Sequence, residues 1–133
     1  MKKLIFIDDN QMDHFILKRV LDKYNLAYDV SCTADAEEVV GFLQQNQSDK
    51  DQLPDVILLD IYMPKLDGWA FLEKAQRLQP FLSKPLKIYI LSSSINPRDI
   101  QRSKQFSCVK SFIFKPLTKE VLEKLINDEV YDQ

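Results

Sequence analysis

Short apolar runs alternate with longer amphipathic segments along this 133-residue chain. The most apolar run covers residues 56–59 and ends in Asp60. An uninterrupted apolar run of this length, bounded by polar residues and proline, predicts a strand that is buried on both faces, as in a parallel sheet. Further strands are predicted at residues 4–7, 27–32, 86–91 and 112–114.

Apolar residues at helical spacing separate these strands. In the first helical segment, the stripe predicted to face the core consists of Met12, Phe15, Ile16 and Val20. The fourth helix is predicted to reach about residue 106 and has few apolar residues. Polar and proline residues mark where the later helices begin: Thr33 or Asp35, Asp67-Gly68, Asn96-Pro97, and Thr118.

Five strands that alternate with five helices predict a parallel sheet with helices on both faces, because each crossover is right-handed and returns to the same edge. The expected fold class is therefore α/β, a doubly wound five-stranded parallel sheet with five helices. If the order is the flavodoxin-like 2-1-3-4-5, strands one and three are neighbours. The length and the absence of repeats predict a single domain over residues 1–133.

Composition narrows the classes of function. A net charge of −2 and a pI near 5.4 predict no basic surface, so direct binding of nucleic acid is not expected. The apolar runs have the length of strands, so no membrane span is expected. Cys32 and Cys108 lack the spacing of metal ligands, which predicts free thiols in a reducing, cytoplasmic environment.

Polar side chains end four of the five predicted strands: Asp8 and Asp9, Asp60, Ser92, and Lys115. Taken singly, each has an ordinary interpretation as a helix cap, a turn residue or a surface lysine. Because the carboxyl ends of parallel strands share one edge, we expect these groups to converge. Converging carboxylates need a positive partner, and oxygen ligands suit Mg²⁺. Lys115 and Ser92 could then contact a phosphoryl group.

This ordered set of residues resembles the receiver domain of two-component response regulators, such as the single-domain chemotaxis regulators. The resemblance extends over nearly the whole chain. The ordered set of residues is more specific for this family than any single residue in it. The matching residues are Asp8-Asp9, Asp60, Met63-Pro64, Asp67-Gly68, Ser92 and Lys115-Pro116.

The resemblance implies a role for each acid. Asp60 would accept a phosphoryl group from a phosphohistidine of a sensor histidine kinase or a histidine phosphotransfer protein. Asp9, Asp60 and the backbone carbonyl of Tyr62 would bind Mg²⁺ directly, and Asp8 would act largely through water. Such a chain is a signalling protein rather than an enzyme, limited to self-catalysed aspartyl phosphorylation and slow autodephosphorylation.

The resemblance also implies how the signal is passed on. Lys115 would pair with the phosphoryl group, Ser92 would move to hydrogen-bond it, and Phe112 would be the switch aromatic. The Lys115–Pro116 peptide would be cis. The fourth helix, the fifth strand and the fifth helix would form the surface that changes, and the helix that begins at Pro97 is expected to be loosely held.

One alternative remains open, a docking scaffold of the same fold that works without phosphorylation. Its usual mark is the loss of an acid or of the lysine, and neither is lost here. No output domain is expected after residue 130, so the signal would pass by docking to an unidentified downstream protein.

Overall fold

The computed structural model describes residues 2–26, 28–62, 67–93 and 96–126. Its five strands form one parallel sheet in the order β2-β1-β3-β4-β5. This arrangement confirms the predicted fold class and strand order. The strands are β1 (Lys2–Ile7), β2 (Tyr28–Thr33), β3 (Val56–Asp60), β4 (Ile88–Ser92) and β5 (Val109–Phe114).

Side-chain caps begin all five helices, and every one except Asn10 was predicted. Thr118 accepts a hydrogen bond from the amide of Val121 at 3.3 Å. Asn10, Asp35, Asp67 and Asn96 each accept a hydrogen bond from a backbone amide in the first helical turn. Asp35 rather than Thr33 is therefore the cap of the second helix. None of the helices within the described ranges is long and apolar enough to cross a bilayer. The helices are α1 (Gln11–Lys23), α2 (Ala36–Gln45), α3 (Gly68–Leu78), α4 (Pro97–Ser103) and α5 (Lys119–Ile126).

Several boundaries differ from prediction. β1 begins at Lys2 rather than residue 4, and β4 is Ile88–Ser92 rather than 86–91. β5 begins at Val109, because the backbone at Val109 already pairs with Ile88 of β4. α4 ends at Ser103, before the predicted residue 106. A 3-10 turn, Gln79–Phe81, follows α3 and accommodates Pro80 in its first positions, where no helix was expected. The predictions for Ala27 and for residues 127–133 lie outside the described residues.

The predicted core-facing stripe of α1 is wrong for three of its four residues, and only Val20 packs, partly buried, against the core. Met12 and Phe15 are 62% and 56% exposed, and Ile16 is 37% exposed. The helix instead buries Leu17 and Leu21 against the sheet. Apolar residues occupy so much of the circumference of α1 that their spacing alone does not decide which face meets the sheet.

The sheet is buried on both faces, and β3 is its centre. Ile57 and Leu59 belong to the core cluster under α2 and α3, whereas Val56 and Leu58 belong to the cluster under α1 and α5. Every residue of β3 is buried, including Asp60. Its charged residue, Asp60, lies at the carboxyl end, which is where the candidate site lies.

Gly68, at the start of α3, gives a test of this packing. A Cβ atom at position 68 would lie 2.6 Å from the backbone Cα of Ile61. We therefore expect Gly68→Ala to lower the free energy of unfolding by about 1–3 kcal/mol in urea denaturation. The matched control is Gly41→Ala in α2, where a Cβ would meet nothing within 4 Å. That change should raise stability by about 0.5–1 kcal/mol. Equal effects of the two substitutions would contradict the close approach at Ile61.

Candidate functional site

Three carboxylates meet at the carboxyl ends of β1 and β3. Because Ile7 pairs with Leu59, the next residues, Asp8 and Asp60, leave the sheet side by side. Oxygens of Asp8, Asp9 and Asp60 all lie within 4.8 Å of one another. Asp8 and Asp60 are buried and Asp9 is exposed, so the cluster opens to solvent on one side.

Backbone amides orient the two buried acids. The amide of Asn10 donates to Oδ1 of Asp8, and the amide of Tyr62 donates to Oδ1 of Asp60, each at 2.9 Å. Such local turns hold a carboxylate to the backbone two residues further on. One oxygen of each acid is thereby held by the backbone, and Oδ2 remains for other partners.

Lys115 supplies the positive charge. Its Nζ lies 2.7 Å from Oδ2 of Asp13, 2.9 Å from Oδ2 of Asp8 and 3.3 Å from Oδ2 of Asp60. The residue follows β5, where its backbone amide donates to the carbonyl of Ser92 at 2.9 Å. The predicted convergence of the acids and Lys115 is therefore present in the structure.

Asp13 is the residue that sequence reasoning missed. It lies in the first turn of α1, four residues after Asp9. Side chains on a helix tilt toward its amino terminus, so an acid at this position reaches back toward the Asp8-Asp9 pair. An acid one helical turn beyond the pair is the sequence signal that could have found it.

Burial and charge shift the titration of these groups in opposite directions. Burial raises the pKa of Asp8 to about 6, although the Asn10 amide and the Lys115 ammonium favour the charged form. Burial likewise raises the pKa of Asp60 against the effect of Lys115. For Asp13, burial raises the pKa, but hydrogen bonds from Lys115 and Asp8 outweigh it and the pKa is lowered.

The titration of Lys115 itself is governed by its three acidic partners. Burial by itself lowers the pKa of the ammonium group, but the hydrogen bonds to Asp13 and Asp8 and the charge of Asp60 outweigh it. The pKa of Lys115 is therefore raised above its ordinary range. The lysine is therefore positively charged at neutral pH.

The two predicted switch residues are buried on neighbouring strands. Ser92 ends β4 and is 1% exposed. Phe112 is a core residue of β5, paired in register with Ile90 and packed beside Phe114. The Lys115–Pro116 peptide is cis, as the resemblance implied.

Tyr62 connects β3 to α4. Its amide contacts Asp60, and its hydroxyl hydrogen-bonds the carboxylate of Asp99 in the first turn of α4. Asp67, a matching residue of the resemblance, caps α3 by accepting from the amide of Trp69. The predicted match at Met63-Pro64 lies outside the described residues.

Comparison with known proteins decides the family. A profile of the response regulator receiver domain matches residues 4–127. The chain belongs to the response regulator receiver domain family. This family consists of signalling proteins of two-component systems, which agrees with the resemblance noted in the sequence.

The relatives of this receiver domain include a curated rice protein and solved structures. The chain is 27% identical over 127 residues to two-component response regulator ORR1 of Oryza sativa subsp. japonica, covering 94% of this chain and 54% of that protein. It thus spans about half the length of this relative. A two-component response regulator from Cytophaga hutchinsonii has a TM-score of 0.82 at 24% identity, with 96% of each chain covered.

A further solved structure is the receiver domain of sensor histidine kinase PA1611 from Pseudomonas aeruginosa, which has a magnesium ion coordinated in its active-site cleft. Its TM-score is 0.72 at 18% identity, with 97% of each chain covered. At this identity, the likeness establishes the shared fold.

Asp8 gives a pH-dependent test of the site. Its pKa in the folded protein is about 6, above the ordinary value of 3.8. An acid whose pKa is raised by folding contributes its full stabilisation at pH values below the pKa of the unfolded chain. This stabilisation is lost as the pH rises through the pKa of the folded protein. We therefore expect Asp8→Asn, which stays neutral and keeps the bond from Asn10, to be more stable relative to wild type at about pH 7 than at about pH 4. The expected difference is about 1–3 kcal/mol.

Urea denaturation at both pH values measures this difference. The control is Asp29→Asn, which removes an exposed acid of β2 and should change stability by the same amount at both pH values. A relative stability of Asp8→Asn that does not change with pH would contradict the burial of a charged Asp8.

Proposed function

We propose that this receiver domain accepts a phosphoryl group on Asp60 from a phosphohistidine of a sensor histidine kinase or a histidine phosphotransfer protein. The observation that carries the proposal is the placement of the Asp60 carboxylate. It has an oxygen within 4.8 Å of oxygens of Asp8 and Asp9, and its Oδ2 lies 3.3 Å from the Nζ of Lys115. Nucleophile, metal ligands and counter-charge for a phosphoryl group are then within reach of one another.

Asp8, Asp9, Asp60 and the backbone carbonyl of Tyr62 would hold Mg²⁺. Three carboxylates within 4.8 Å of one another are a hard oxygen donor set that fits this ion. The magnesium in the Pseudomonas receiver domain supports the same assignment here. When bound, the ion supplies positive charge that neutralises phosphoryl oxygens.

Transfer requires little covalent chemistry from the protein. A carboxylate oxygen of Asp60 attacks phosphorus in line, the new O–P bond forms, and the N–P bond to the donor histidine breaks. The leaving imidazole keeps the electron pair of that bond and takes a proton from solvent. Lys115 pairs with the transferred oxygens, and the hydroxyl of Ser92 donates a hydrogen bond to one of them.

The exposed apolar face of α1 supports a protein as the phosphodonor. Met12 and Phe15 are mostly exposed, and Ile16 shares a small cavity with Lys115. Exposed apolar side chains grouped beside a reactive site are typical of protein contacts. The alternative of a phosphorylation-independent scaffold is less favoured, because every group needed for phosphoryl acceptance is present.

We further propose that α4, β5 and α5 form the surface that changes on phosphorylation and is read by a downstream protein. Acyl phosphate formation adds about one negative charge beside Ser92. Within the described residues, the apolar packing of α4 comes from the partly buried Ile100 and from Phe106 just beyond its end, and Arg102 stacks over Trp69. We infer from this small apolar contact that α4 is loosely held. Tyr62 bridges the acceptor loop to this helix through Asp99.

A cytoplasmic location is part of the proposal, supported by the unpaired thiols of Cys32 and Cys108.

Phosphorylation of Asp60 is tested with acetyl phosphate and Mg²⁺. We expect intact-mass spectrometry to detect one phosphoryl adduct on the full chain, removable by neutral hydroxylamine as an acyl phosphate should be. Asp60→Asn and excess EDTA should each abolish it, because one removes the nucleophile and the other the ion. An adduct of equal yield in Asp60→Asn would contradict the assignment.

The proposed switch surface is tested by hydrogen exchange with and without beryllofluoride, a phosphoryl mimic, in the presence of Mg²⁺. We expect altered exchange in peptides from residues 96–114, because α4 is the weakly packed element next to the site. Peptides from residues 28–45, which cover β2 and α2 away from Ser92, serve as the internal control. Unchanged exchange across residues 96–114, with the mimic bound, would refute this part of the proposal.

A further inference from the structure

We propose that Asp13 is a positioning residue for Lys115, holding its ammonium group so that one N–H points at the Asp60 carboxylate. The part of the proposal that concerns the rate of phosphorylation rests on the proposed role of Asp60 as phosphoacceptor. Its structural part stands on the contacts of Lys115 alone.

The geometry of one ammonium group among three acids carries this inference. A lysine ammonium has three N–H donors and no acceptor. Three carboxylate oxygens surround Nζ of Lys115, and the closest is that of Asp13 at 2.7 Å. The contact with Asp60, at 3.3 Å, is the longest. Asp13 and Asp8 therefore bind the ammonium group most tightly, and the donor directed at Asp60 is the one free to turn to an arriving phosphoryl oxygen.

Asp8 cannot fix Lys115 by itself. One of its oxygens accepts from the amide of Asn10, and the residue also belongs to the cluster of acids that fits a metal ion. Asp13 is not a member of that cluster. Its carboxylate is a second anchor, carried on α1, whose start is held by the Asn10 cap.

The surroundings strengthen the contact between Asp13 and Lys115. Their side chains are 24% and 17% exposed, so water reaches both only in part. They line a cavity of about 20 Å³ whose other walls are mainly apolar, from Phe6, Leu91 and Leu117. In such a setting a charge-assisted hydrogen bond is screened less than at the surface. The contact thus immobilises a side chain that is otherwise long and flexible.

Immobilising Lys115 before the reaction should raise the rate of phosphoryl transfer. A group that is already in place does not have to be ordered in the transition state. A small displacement of such a group from its productive position lowers the rate strongly. We expect Asp13→Asn to slow phosphorylation by acetyl phosphate about tenfold at saturating donor, with the KM for the donor little changed.

The structural part is tested by NMR of the full chain with ¹⁵N-labelled lysine, without metal or phosphodonor. In wild type, the ammonium signal of Lys115 should be protected from exchange with water, and Asp13→Asn should lose that protection. Asp13→Glu should restore part of it. The matched control, Asp22→Asn, removes an exposed acid from the same helix and should leave it unchanged. Protection that survives in Asp13→Asn would overturn the proposal.

The functional part is tested by a double-mutant cycle. If Asp13 acts through Lys115, Asp13→Asn should slow phosphorylation in the wild-type background but have no further effect in Lys115→Met. An equal slowing in both backgrounds, or no slowing in either, would overturn the proposed effect on rate. The two parts can fail separately. If the wild-type chain is never phosphorylated, but Asp13→Asn still removes the protection of the Lys115 ammonium group, the phosphoacceptor role is refuted and the positioning role stands.

Discussion

The contact of one ammonium group with three carboxylates is the interaction on which the site depends. Lys115 follows β5, Asp8 follows β1, Asp60 ends β3 and Asp13 lies on α1. Four elements are therefore tied together by one positive charge. With Asp9 nearby, the acids still outnumber the lysine, so the site holds an excess of negative charge that a cation can relieve. Burial makes a charged Asp8 unfavourable, and the excess of acids makes the site compatible with a metal ion.

The sheet supports this arrangement because its centre is fully buried. Every residue of β3 and of β4 is buried, so the core packs around these strands as far as Asp60 and Ser92. α4 packs less well and contributes few apolar contacts. Asp60 and Ser92 thus lie on fully buried strands, beside a helix with fewer apolar contacts. Tyr62 touches both, through its amide to Asp60 and its hydroxyl to Asp99.

Most of the fold and much of the site could be predicted because they follow from local patterns. Strands β1, β3 and β4 are recognisable as short apolar runs, and the residues that end them are readable without a structure. Asp60 is the clearest case, since a carboxylate after a fully buried strand has to leave the core there. Boundaries were less certain: β5 was predicted too short because Val109 to Ser111 are not an apolar run, and their strand conformation comes from pairing with β4.

The sequence by itself determined the alternation of strands and helices, and hence which polar residues reach one edge of the sheet. Only the tertiary structure decided which face of α1 is buried, since Phe15 and Leu17 are equally apolar and their packing against the sheet makes the choice. It also decided that Asp13 binds Lys115, across 102 residues of chain. Local periodicity carries the first kind of information. The second depends on how separate elements pack, which no local pattern encodes.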